Sequence, residues 1–218
     1  MSAANDDDDS QGSHFEDELE DLIPGAEAIA GLRAVARLAR LLPNIDWFSQ
    51  TGRPIKNTQL IWAESYCAGL GFLDVNVSGL EGWREAAALA AEQDWDAQFW
   101  EAEEQAHQAL LEQAEQWLPS YDLEVALNHV ALRATELAQI KAVAAAARAG
   151  IVDDGLIRAA AQAAGQAAYQ AALVLAAQGK DYNEDDDSGE EHAFAAKFRL
   201  FEAGRWPLGL VGNTFTLF

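Results

Sequence analysis

The chain has 218 residues, half of them hydrophobic, with a formal net charge of −22 and a single cysteine, Cys67. That length suits one well-packed domain, and a lone cysteine excludes an intrachain disulfide or a cysteine zinc cluster. The acidic balance disfavours duplex DNA and anionic membranes as partners, and no apolar stretch approaches the ~20 residues of a membrane helix.

The charge is uneven. Residues 1–21 hold nine acids and no lysine or arginine, and residues 181–191 hold seven acids and again no base. Tracts with so few apolar residues cannot repay their ordering entropy. The first therefore reads as a disordered acidic tail. The second reads as a mobile loop within a single helical domain over 22–218. Asp6 to Asp9 stand where a secretory signal would need basic and then apolar residues, which favours a cytoplasmic protein. Abundant alanine with only four lysines suits a GC-rich bacterial genome.

In chain order, Ile29, Leu32, Val35, Leu38 and Leu42 have helical spacing, and Pro43 ends that run. Arg33, Arg37 and Arg40 fall on one side of it. A second helix is expected over 58–68, with Leu60, Ile61 and Tyr66 inward. Residues 73–78 alternate apolar and polar in the period of a short half-buried strand. The spacing from Ser78 to Glu81 fits a capping box opening a helix over 83–92. A bend near Asp94 and Asp96 then precedes a long helix over 97–118. The short turn at Pro119 to Asp122 predicts that the next helix, 123–149, folds back antiparallel on it. Gly150 ends that helix, and Asp153 or Asp154 caps another over 156–178. In these last two helices Ala142, Ala145, Ala146, Ala160, Ala161, Ala164, Gly165, Ala168 and Ala172 form a smooth surface suited to tight helix contact. Phe194, Phe198 and Phe201 mark a last helix. Gly212-Asn213 between two apolar runs predicts a C-terminal hairpin. A hairpin is marginal alone, so it should pack on a helix face or pair with the 72–78 strand. The architecture is mainly α: a bundle of five or six helices with a small β element.

Two groupings could carry function. At about 100° per residue, Glu101, Glu104, Glu112 and Glu115 share one helix face. No lysine or arginine occurs between Arg84 and Arg133, where eleven acids do. This stripe is a solvated surface, a partner for the Arg33/Arg37/Arg40 face, or a docking site for a basic protein. The second grouping is polar and lies on expected core faces. Glu103 and His107 are four apart beside Phe99, Ala106, Leu110 and Trp117. His129, Arg133 and Glu136 share a face with Val125, Leu132, Ile140 and Val143. An antiparallel register would bring the two sets together. Three readings follow: a buried compensated network, a two-histidine, two-glutamate metal site, or an acid/base pair. Against the metal, Arg133 would sit beside the cation. Glu104-x-x-His107 matches half of a di-iron signature, and the required second copy is absent.

Phosphate loops, nucleophile elbows and zinc-protease motifs do not occur, and no resident cofactor or metal is expected. Seven tryptophans are many for this length. Most should be core, and any exposed ones are candidate anchors for a partner. The expected function is a non-catalytic factor for a basic protein partner: an inhibitor, immunity-type protein or adaptor. The alternatives are a metal or acid/base enzyme built on the Glu/His group, and a DNA mimic. The last needs rigidly spaced acids, whereas most acids here lie in the two tracts.

Overall fold

A computed structural model gives the fold of Leu19 and residues 21–91, 95–179 and 192–218. The expected acidic tail and the 181–191 loop lie outside these described residues, apart from Leu19 and Asp21. Among them are α1 (Ala30–Leu41), α2 (Asn57–Gly69), β1 (Asn76–Gly79), α3 (Trp83–Ala91), α4 (Ala97–Glu115), α5 (Ser120–Arg148), α6 (Asp154–Gln178), α7 (Ala193–Glu202), β2 (Pro207–Val211) and β3 (Thr214–Leu217). The fold is mainly α with a small sheet, as the periodicities predict. No helix among the described residues is long and apolar enough to cross a membrane.

Helix ends fall where side chains can satisfy free N–H groups. Asp96 Oδ1 accepts from the backbone N–H of Gln98 at 2.8 Å and of Phe99 at 3.1 Å, opening α4. Asp153 Oδ1 accepts from Leu156 N at 3.0 Å and opens α6. His192 Nδ1 does the same for Phe194 N at 3.1 Å on α7. The box expected at Ser78 falls further on. Ser78 lies in β1, and it is Glu85 that accepts from the Glu81 N–H, at 2.8 Å. The bend expected near Asp94 lies outside the described residues.

The centre of the molecule is α6, whose faces meet α5, α1, α7 and α4. Its seam with α5 is the most extensive helix pairing, and the small residues singled out from the sequence are buried in it. The fold-back of α5 onto α4 does not occur, because α4 crosses to α6 and barely touches α5. The physical reason lies in α5 itself. Its inward stripe is Ala126, Val130, Ala134, Ala138 and Ala142, which lets α6 approach closely. The larger Leu132 and Ile140, expected in the core, are 68% and 67% exposed. Trp117 at 75% and Ile61 at 57% exposure are outward too. On α2, Tyr66 points inward as expected, joined by Gln59, Ala63 and Cys67.

The hairpin joins the early strand as expected. The sheet order is β1-β3-β2, with β3 parallel to β1 (Val77 opposite Phe215) and antiparallel to β2 (Leu210 opposite Phe215). Pairing between β2 and β3 shifts between Pro207 and Gly209, a bulge in which Gly209 adopts φ +148°. A Cβ there would meet Trp95 Cζ3 at 2.9 Å and Trp100 Cζ2 at 3.2 Å, so only glycine lets two indoles lie against this strand.

Candidate functional site

The expected Glu/His group does not assemble. Glu103 is buried and faces α6, α7 and α2. His107 is half-buried, with its ring edge-on to Tyr169 of α6 at 5.6 Å and Nδ1 3.8 Å from Glu104. On α5, His129 and Arg133 are half-buried and Glu136 is exposed. There Arg133 Nη1 pairs with Glu136 at 3.3 Å. On α5 the alanine side turns inward, while the bulkier Leu132 and Ile140 face out. Among the described residues no group of histidine, cysteine, aspartate and glutamate could hold a metal.

What surrounds Glu103 was not visible from its own helix. Tyr66 Oη donates to Glu103 Oε2 at 2.6 Å. Gln170 Nε2 and Lys197 Nζ each donate to Oε1 at 2.6 Å. Lys197 also donates to Gln170 Oε1 at 3.0 Å, and its ammonium lies 5.5 Å from the centre of the Tyr66 ring. Four side chains from α2, α4, α6 and α7 thus close one network around an ion pair. Burial alone would raise the Glu103 carboxyl, but the Lys197 charge and the hydrogen bonds from Gln170, Lys197 and Tyr66 outweigh it and hold it below the ordinary value. Burial and the nearby Glu103 charge push the Tyr66 phenol well above its usual range. So the carboxylate stays ionised and the phenol stays a donor, which suits a structural network better than proton transfer. The signal for it was a lysine at helical spacing among Phe194, Phe198 and Phe201.

Tyr66 and Lys197 also form the floor of a pocket of about 130 Å³, walled by Phe99, Trp100, Trp206 and Phe215. Trp100 is part-exposed at its rim. Nearby, Cys67 is fully buried, and burial followed by the Glu64 charge pushes its thiol up to about 12. That thiol is a core residue and no nucleophile at neutral pH.

A second buried cation, Arg205, holds the loop before α2 to the C-terminal strands. Its Nη2 donates to the carbonyls of Arg53 at 2.8 Å and Pro54 at 2.6 Å, and Nε to Gln59 Oε1 at 3.2 Å. Burial depresses its pKa from the ordinary value. Nothing in the local pattern of Gly204 to Pro207 marked it as core.

On the opposite side of α4, Glu101, Glu104, Glu112 and Glu115 are all exposed. At about 100° per residue their centre lies roughly 150° from the centre of the buried face formed by Phe99, Glu103, Leu110 and Ala114. Glu104 accepts from Gln108 at 2.8 Å. Glu101, Glu112 and Glu115 make no ion pair among the described residues, and Arg40 pairs instead with Glu27 at 2.8 Å. Of the tryptophans, Trp47, Trp83 and Trp206 are core, Trp62 and Trp95 are half-buried, and Trp100 and Trp117 are exposed. The chain matches no protein-family model, no curated protein and no solved structure.

Proposed function

We propose that the protein is a non-catalytic binding factor that engages a basic protein as an inhibitor, immunity-type factor or adaptor, using the outer face of α4. The observation that carries this reading is the stripe of Glu101, Glu104, Glu112 and Glu115. It faces solvent on the side of α4 away from the buried face, and among the described residues Glu101, Glu112 and Glu115 make no ion pair. Uncompensated surface charge of one sign accelerates encounter with an oppositely charged partner and fixes its orientation. Exposed Trp117, just past the stripe, supplies the kind of aromatic anchor that dominates interface energetics. The acid/base alternative is the weaker reading, because Glu103 is taken up by Tyr66, Gln170 and Lys197 while His107 lies against Tyr169.

The test is affinity capture from source cells at low ionic strength, followed by titration with the captured protein. Replacing Glu101, Glu104, Glu112 and Glu115 together by lysine should weaken binding at least tenfold, while Trp117→Ala should weaken it about tenfold. Raising salt toward 0.5 M should weaken the wild-type complex and leave the lysine variant little changed. Capture of the same partner with equal affinity by the lysine variant would sink the proposal.

A further inference from the structure

We infer that the pocket above Lys197 binds a small neutral molecule, about the size of one ring, that carries a hydrogen-bond acceptor. The volume of about 130 Å³ sets the size; an engineered apolar cavity of ~150 Å³ in another protein holds benzene. The aromatic walls set the apolar body of the ligand. Lys197 sets its polar end. The side chain is only 8% exposed, and its ammonium carries three N–H donors. Hydrogen bonds to Glu103 Oε1 and Gln170 Oε1 use two of them, and a ligand resting on the lining that Lys197 and Tyr66 share can take the third in place of its contact with the Tyr66 ring.

Charge decides the ligand class. Glu103 already balances Lys197 at 2.6 Å, so an anion would surrender its hydration without gaining a free counter-charge. A cation would be desolvated against the Lys197 ammonium. A neutral carbonyl or hydroxyl avoids both penalties. Gly209, which also lines the pocket, leaves room for the Trp100 wall: a Cβ there would stand 3.2 Å from Trp100 Cζ2.

The full chain would be titrated with benzamide, benzoate, benzylamine and toluene, following the indole N–H signals of Trp100 and Trp206 by NMR. Benzamide should saturate in the millimolar range, on the order of a weak fragment affinity. It should bind at least tenfold more tightly than benzoate, benzylamine or toluene. Ala163→Leu, which fills the pocket from α6 without touching the ion pair, should abolish the response while the helical spectrum stays unchanged. In Lys197→Met, benzamide should fall to the level of toluene. Failure of all four probes to saturate, preference for a charged probe, or an undiminished response in Ala163→Leu would each overturn the inference. None of these readouts depends on the α4 stripe.

Discussion

Lys197→Met is expected to destabilise the fold by about 3–5 kcal/mol, because it removes one partner of a buried ion pair and strands the other. Glu103 would keep Tyr66 and Gln170 as donors but lose the charge that offsets its desolvation. Removing both charges should hurt less than removing one. In the Glu103→Gln/Lys197→Met double variant, the new amide still offers an acceptor to Tyr66 and no carboxylate is left buried. The double variant should therefore be more stable than Lys197→Met alone, as read by urea unfolding followed through tryptophan fluorescence. A loss below about 1 kcal/mol for Lys197→Met would show that the ion pair is not held in a low-dielectric setting.

The same network predicts a pH dependence. The folded Glu103 carboxyl is held below its ordinary value, so the native state binds fewer protons there than the unfolded chain. Its contribution is fully present above the unfolded carboxylate value of about 4.3 and is lost as pH falls through the lower folded value. Wild type should lose more stability than Glu103→Gln between pH 5 and acid conditions, measured by the same unfolding experiment. Equal losses in the two proteins would place the acid sensitivity elsewhere.

Much of the fold was legible because it rests on local chemistry. Asp153 caps the helix it precedes, as its position predicts, and the alternation over 73–78 overlaps β1 at Asn76 to Ser78. The β1–β3 pairing followed from the need to pack a marginal hairpin. The candidate site was less legible, for a physical reason. Helical phase tells which residues share a face but not which face is inward. On α5 the choice turned on how closely α6 could approach. Alanines at 126, 134, 138 and 142 permit a closer seam than leucine and isoleucine do, so Leu132 and Ile140 went outward with Glu136. Helical phase sets Glu103 on or beside an apolar face, yet its partners lie on α2, α6 and α7, up to 94 residues away in the chain. A pairing at that separation depends on which helices cross, and α4 crossing to α6 was not encoded in its turn with α5.

The closeness of the α5–α6 seam gives the second large effect. Gly165 of α6 faces Ala131 and Thr135 of α5, and a Cβ there would overlap Thr135 Oγ1 and stand 2.9 Å from the Ala131 carbonyl oxygen. The Thr135 hydroxyl cannot easily retreat, because it donates to that same carbonyl at 2.8 Å. On an isolated helix Gly→Ala would stabilise by about 1 kcal/mol through propensity alone. Here the overlap opposes that gain, since forcing atoms into a packed interface costs about 1–3 kcal/mol. Gly165→Ala should therefore be destabilising on balance. Gly165→Leu should lose about 3 kcal/mol or more, because a branched side chain must part the two helices along their length. Thr135→Ala removes the overlapping oxygen but leaves the backbone carbonyl in place. It should recover part of the Gly165→Ala loss and little of the Gly165→Leu loss. Urea unfolding of the two single variants and their Thr135→Ala combinations measures each step. A Gly165→Ala protein more stable than wild type would mean that α5 and α6 have room to spare, and that the alanines along the seam serve helix propensity alone.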